Sequence, residues 1–201
     1  VDFIWWEKTV EYLFVQKYVD VKTVIAPLGG LQEKGGDAIF SGDEKFILIE
    51  FKRDAKSIES EVEKFDGGAT YKKAQAELCF EDSHHLLIYG KMEGNELQLK
   101  CRTYFSGIPT EANSALSNGK DEEPFMEYLY KFINFKVSKQ GSSGGGYSCV
   151  AGVNSAGKIT KVLNSSEFER ALELKFALNT SLKVKKERAH TSSNDFKIKG
   201  P

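Results

Sequence analysis

Apolar and polar positions recur along this chain with two different periods, and the changes of period divide it into elements. From Ile4 to Val19 the apolar residues return at helical spacing, with Phe3, Trp6, Val10, Leu13 and Phe14 on one face, which predicts an amphipathic helix. Lys45 to Lys52 alternates instead: Phe46, Leu48, Glu50 and Lys52 share one face, and Ile47, Ile49 and Phe51 share the other. Both faces begin apolar, the pattern of a central strand covered on two sides. Two shorter strands are predicted before it, Lys22 to Ala26 and Asp37 to Ser41, the second leading into a hairpin turn at Ser41-Gly42-Asp43-Glu44. Pairing across that hairpin would bring Asp37 close to Glu50.

Downstream, Ser57 to Leu78 is long and polar, with a break at Asp66-Gly67-Gly68 before a second helical piece, Ala69 to Leu78. His84 to Tyr89 and Glu96 to Phe105 read as strands on either side of a Gly94-Asn95 turn. Ser106 to Glu123 reads as a loop or linker, and Pro124 to Val137 as an aromatic-rich helix with Pro124 in its first turn. Gly141 to Gly146 is a flexible connection and not a phosphate loop, because no Gly-Lys-Ser/Thr follows. Tyr147 to Val153 and Gly157 to Leu163 predict a hairpin, and Ser166 with Glu169 predicts a capping box opening a helix from Glu167 to about Asn179. Lys183 to His190 is locally basic and could touch phosphates, although a solvated tail is the commoner explanation of such a run. The expected organisation is an α/β core over 1–105 in the order α-β-β-β-α-β, a loop or linker over 106–123, and an appended α+β subdomain over 124–201.

The end of the central strand breaks its own pattern. Glu50 and Lys52 put opposite charges on a face that otherwise reads as buried, and buried charges persist when paired or bound to metal. Two carboxylates, Asp37 and Glu50, would supply hard oxygen ligands for Mg²⁺ or Mn²⁺, and a lysine beside them can orient a water without competing for the metal. A metal so held polarises a phosphate oxygen and activates its water, which is the chemistry of phosphodiester hydrolysis.

Asp37 followed by Glu50-Phe51-Lys52 on the next strand, with a helix before and a helix after, resembles the PD-(D/E)XK nuclease superfamily. Gly36 stands where the family has its proline. The resemblance covers roughly the first half of the chain and implies a restriction-endonuclease-like mixed sheet flanked by helices. It further implies that Asp37, Glu50 and the main-chain carbonyl of Phe51 hold the metal while Lys52 attends the water. The family also places a glutamate on the first helix. At about 100° per residue, Glu7 lies roughly 60° from the centre of the apolar stripe and Glu11 roughly 100° from it, so Glu7 is the expected fourth member. On the helix after the lysine, Tyr71, Lys72 and Gln75 are the expected substrate contacts; Tyr71 and Gln75 run in the reverse order of the exonuclease branch's Gln-x-x-x-Tyr.

Other candidates have simpler readings. His84 and His85 are adjacent on a strand, so they are expected on opposite faces and in a structural role. Cys79, Cys101 and Cys149 are odd in number and widely spaced, which fits a reducing compartment and neither a disulfide framework nor a zinc site. With 40% hydrophobic residues the chain can bury a proper core. A net charge of −1 is far from the basic excess of a free-standing nucleic-acid binder, so affinity would come from a lysine-rich face, a metal, a homodimer or a larger complex. No run approaches the length of a membrane span and no secretion signal is apparent, so a cytoplasmic protein is expected. The expected function is a Mg²⁺- or Mn²⁺-dependent nuclease, with DNA favoured over RNA; the alternative is a nuclease-like module that binds or scaffolds without turnover.

Overall fold

The computed structural model describes residues 4–19, 44–136 and 149–164, together with 167, 168, 170 and 173. The expected strands Lys22 to Ala26 and Asp37 to Ser41, the Gly141 to Gly146 connection and the basic tail lie outside them, as does most of the expected helix after Glu167. Among the described residues ten helices and strands follow in chain order: α1 (Glu7–Tyr18), β1 (Lys45–Lys52), α2 (Gly67–Leu78), β2 (His85–Glu93), β3 (Glu96–Thr103), β4 (Pro109–Thr110), α3 (Ala112–Leu116), α4 (Glu122–Lys136), β5 (Cys149–Val153) and β6 (Ile159–Asn164). Two 3₁₀ segments, Lys56–Lys64 and Asp82–His84, precede α2 and β2.

The strands form one mixed six-stranded sheet in the order β4-β3-β2-β1-β5-β6. β1 and β2 run parallel, joined by the 3₁₀ segment and α2, and the other neighbours are antiparallel. Period-two alternation divides β1 between two cores. Phe46 and Leu48 join Leu87 and Val150 beneath Leu78 of α2 and Phe125, Leu129 and Phe132 of α4. Ile47, Ile49 and Phe51 join Leu86, Ile88 and Ala151 against Val10 and Phe14 of α1 and Ala115 and Leu116 of α3. The result is an α/β architecture with helices on both faces of the sheet.

Three expectations change at this level. β5 lies beside β1, pairing Lys45 with Val153 through Ile49 with Cys149, while β2 takes Leu48 to Lys52 on the other edge. The edge that a hairpin from Asp37 to Ser41 would use along Lys45–Ile49 is therefore occupied by β5. Second, residues 106–123 hold β4 and α3, and Phe46 exchanges main-chain hydrogen bonds with Lys120 at 2.7 and 3.0 Å, so this stretch packs as part of the body. Third, α4, β5 and β6 of the C-terminal part share the sheet and the core of the N-terminal part.

The first helix also starts later than its pattern implies. Trp6 is its N-cap, with extended φ −117° and ψ 164°, so the helical wheel does not extend to it, and its ring is 66% exposed. Trp5 turns inward instead, its indole Nε1–H donating to the Arg53 carbonyl at 2.7 Å.

Candidate functional site

β1 delivers its two charged side chains into a closed environment. Glu50 is 1% exposed and Lys52 5%, on the same face as Phe46 and Leu48, at the C-terminal end of β1, paired with Leu87 and Tyr89 of the parallel β2. Ligand sites in parallel α/β units collect at this end, because the connections leaving the strands meet there.

The chain after Lys52 folds back over that end. Asp54 Oδ1 accepts from the Ser57 N–H and the Ser57 hydroxyl, each at 2.9 Å, and Ser60 Oγ donates to the Ser57 carbonyl at 2.7 Å. These bonds favour the tight turns of the 3₁₀ segment, where residues three apart stack on one face. Ile58, Glu61 and Lys64 are such a set. Burial pushes the Asp54 carboxyl up, but the bonds from Ser57 and Arg53 outweigh it and hold the group at about 2.

Glu61 is the centre of the cluster. It is 2% exposed, and its carboxylate meets Lys52 at 2.5 Å, Lys64 at 2.8 Å and Lys136 at 3.7 Å, while the Tyr104 hydroxyl donates to it at 2.6 Å. Glu50 is reached by Lys64 at 3.3 Å and by Lys136 at 3.5 Å. Lys136, the last residue of α4, runs its stem over the rings of Phe132, Phe65 and Tyr104, with Nζ 4.2, 5.4 and 5.5 Å from their centroids. Burial lowers Lys136 to about 8 against the upward pull of Glu50 and Glu61. Burial also opposes the charge on Glu61, and Lys136, Lys64 and Lys52 together outweigh it, so Glu61 stays ionised, held at about 2.

Glu7 sits at the rim. Its side chain is 52% exposed and 3.9 Å from Lys52 Nζ, whereas Glu11 is bound to Lys8 at 2.7 Å. The ring of Phe51 packs on Phe14 in the opposite core, 5.4 Å between centroids. Tyr71 is wedged between Phe65 and Phe105, and Gln75 Nε2 donates to the Phe105 carbonyl at 2.8 Å. Both fasten the core beside the cluster, and Lys72 is exposed. Asp37 lies outside the described residues.

His84 and His85 do not take opposite faces. His84 closes a 3₁₀ turn, so strand alternation does not govern it, and both rings lean on Tyr128, at 4.5 and 5.7 Å. His85 stacks on Tyr104 at 4.0 Å and its Nδ1 is 2.9 Å from the Tyr128 hydroxyl. Burial holds His84 at about 3 and His85 well below its ordinary value, so both are neutral and form an aromatic wall behind Tyr104.

Among the described residues no three His, Cys, Asp or Glu side chains converge as a metal-holding group. Glu50 and Glu61 bring two hard oxygen donors into one cluster, a chemistry suited to Mg²⁺ or Mn²⁺. Sequence reasoning missed Glu61, Lys64, Tyr104 and Lys136. The three-residue spacing of Ile58, Glu61 and Lys64 was a usable signal; Lys136 had none. Among the described residues no helix is long and apolar enough to cross a membrane. No family model matches the chain, nor does any curated protein or solved structure match it.

Proposed function

We propose that this chain is a metal-dependent nuclease with a restriction-endonuclease-like core, hydrolysing phosphodiester bonds of nucleic acid, DNA ahead of RNA. The observation that carries the reading is Glu50 and Lys52 buried side by side at the end of a central strand whose parallel neighbour follows through a helical crossover. A helix precedes that strand and brings Glu7 to within 3.9 Å of Lys52.

Glu50, with Asp37, the Phe51 carbonyl and Glu7, would hold the cation. When bound, Mg²⁺ or Mn²⁺ supplies Lewis-acid polarisation and a water of lowered pKa. Lys52 orients the attacking water, and Glu61 holds the Lys52 ammonium in place at 2.5 Å. Lys64, about a third exposed, faces solvent with a positive charge that can receive a phosphate oxygen. The wall of His85, Tyr104 and Phe132 keeps the cluster dry, which strengthens each of these electrostatic contacts.

One observation favours a second reading, a nuclease-like module that binds without turnover: both buried carboxylates are already matched by lysines. The test is cleavage of single-stranded, double-stranded and branched DNA and of RNA in Mg²⁺, Mn²⁺ and EDTA. Metal-dependent cutting that falls about a hundredfold or more in Glu50→Gln and in Lys52→Met, with folding retained, is the expected result. Absence of cutting on every substrate, together with no Mn²⁺ binding by calorimetry, favours the second reading. Cutting at wild-type rate by both variants refutes the site.

A further inference from the structure

The outer edge of β3 carries a short string with its own symmetry, Glu96-Leu97-Gln98-Leu99-Lys100. β4 pairs with β3 only at Cys101 and Arg102, so among the described residues this string is paired on its β2 side alone. The direction of its free main-chain groups follows from the flanking bonds. Tyr104 N–H turns inward to the His85 carbonyl at 2.9 Å, and Thr103 N–H turns outward to the Ile108 carbonyl at 3.0 Å. Alternation in the unbroken β2–β3 register then turns the N–H and C=O groups of Leu99 and Leu97 outward. An edge of this kind is a template for another strand.

We infer that this edge pairs with the same edge of a second copy of the chain, as a two-fold antiparallel ladder centred on Gln98. In that register Leu97 lies opposite the partner's Leu99, and their outward main-chain groups exchange hydrogen bonds on both sides of the axis. Glu96 lies opposite the partner's Lys100, twice by symmetry, and Gln98 faces its own copy. The neighbouring registers lose this match. Centring on Leu97 sets Glu96 against Gln98, and centring on Leu99 needs the edge of Cys101, which β4 holds.

The side chains support the same occupant. Leu97 and Leu99 point to the α1 face, where with Tyr12 and Leu13 they line an open groove of about 660 Å³, and Tyr12 is 60% exposed there. A two-fold axis at Gln98 brings the partner's Leu97, Leu99 and Tyr12 against this groove, joining two half-covered apolar strips into one. On the opposite face Lys100 is held at 2.7 Å by Glu93 of its own chain on the β2 side, and the partner's Glu96 would approach it from the outer edge.

The test is the mass of the whole chain by sedimentation equilibrium or light scattering over a concentration series. The wild type is expected to be a dimer. Glu96→Lys, which sets two lysines against two, should raise the dimer dissociation constant about tenfold, and Lys100→Glu about as much. The double exchange Glu96→Lys with Lys100→Glu should restore the wild-type value to within about threefold. It also keeps an opposite charge beside Glu93, because residue 96 pairs with Glu93 across the β2–β3 hairpin. Leu97→Pro removes an outward N–H without touching the β2 ladder and should also dissociate the dimer. A wild type that stays monomeric at every concentration overturns the inference, and so does a dimer indifferent to the single exchanges. Circular dichroism of each variant separates loss of pairing from loss of fold.

Discussion

Lys52 Nζ lies 2.5 Å from a carboxylate oxygen of Glu61, with both side chains shut away from solvent. The two residues come from different elements, a strand and the 3₁₀ segment that folds back over its end, so their contact locks the connection onto the sheet. A buried carboxylate with three lysines and a tyrosine hydroxyl around it strongly resists the loss of its charge, and it gives each lysine a counter-charge in return.

Glu61→Ala should therefore destabilise the fold by about 3–5 kcal/mol, because it leaves Lys52 and Lys136 buried with less compensation. Urea unfolding of the variant against the wild type measures this. A loss under about 1 kcal/mol would mean that the cluster is wet and loosely held.

The same residue sets an acid limit. Glu61 is held at about 2 in the folded chain, against an ordinary 4.5. A carboxyl whose folded pKa is depressed contributes stability that is present above the unfolded pKa and lost as pH falls through the folded one. Its contribution should be complete above pH 4.5 and decline towards pH 2. In melts across that range the wild type should lose more stability than Glu61→Gln.

Gly90 of β2 has no room for a side chain: a Cβ there would stand 2.7 Å from the Trp5 indole nitrogen and 2.9 Å from the Arg53 carbonyl. Gly90→Ala should cost about 1–3 kcal/mol and push Trp5 from its seat. Trp6 is already exposed, so a red shift of tryptophan emission in the variant reports Trp5.

The thiols should react unequally. Burial pushes Cys101 up to about 12 and raises Cys149 further, while Cys79 is partly exposed. A thiol-exchange reagent at neutral pH should label Cys79 quickly in the folded chain and reach all three cysteines only after denaturation.

Much of this architecture was legible because local period reports local burial. The alternation in Lys45–Lys52 identified a strand covered on both faces, and the charges at its end marked the one place where that cover needed compensation. The hairpin of β5 and β6, the break before α2 and an α4 with Pro124 in its first turn were also visible, each from a turn or cap that acts over a few residues. The inward side of α1 was misjudged at Trp6, since a wheel drawn past the helix N-cap describes a conformation the chain does not have there.

The sequence by itself determined the main strands and helices, the two apolar faces of β1, and that Glu50 and Lys52 share a face. Tertiary structure alone decided the neighbours. β5 took the edge of β1, and Lys136, 86 residues from Glu50, became its ionic partner. Periodicity is a property of a few consecutive residues and has no information on which distant surface will cover them. The lysine at the end of α4 is charged only as far as Glu50 and Glu61 make that affordable in a place shut away from solvent, and that place exists only once the helix, the strand and the 3₁₀ segment have closed around it.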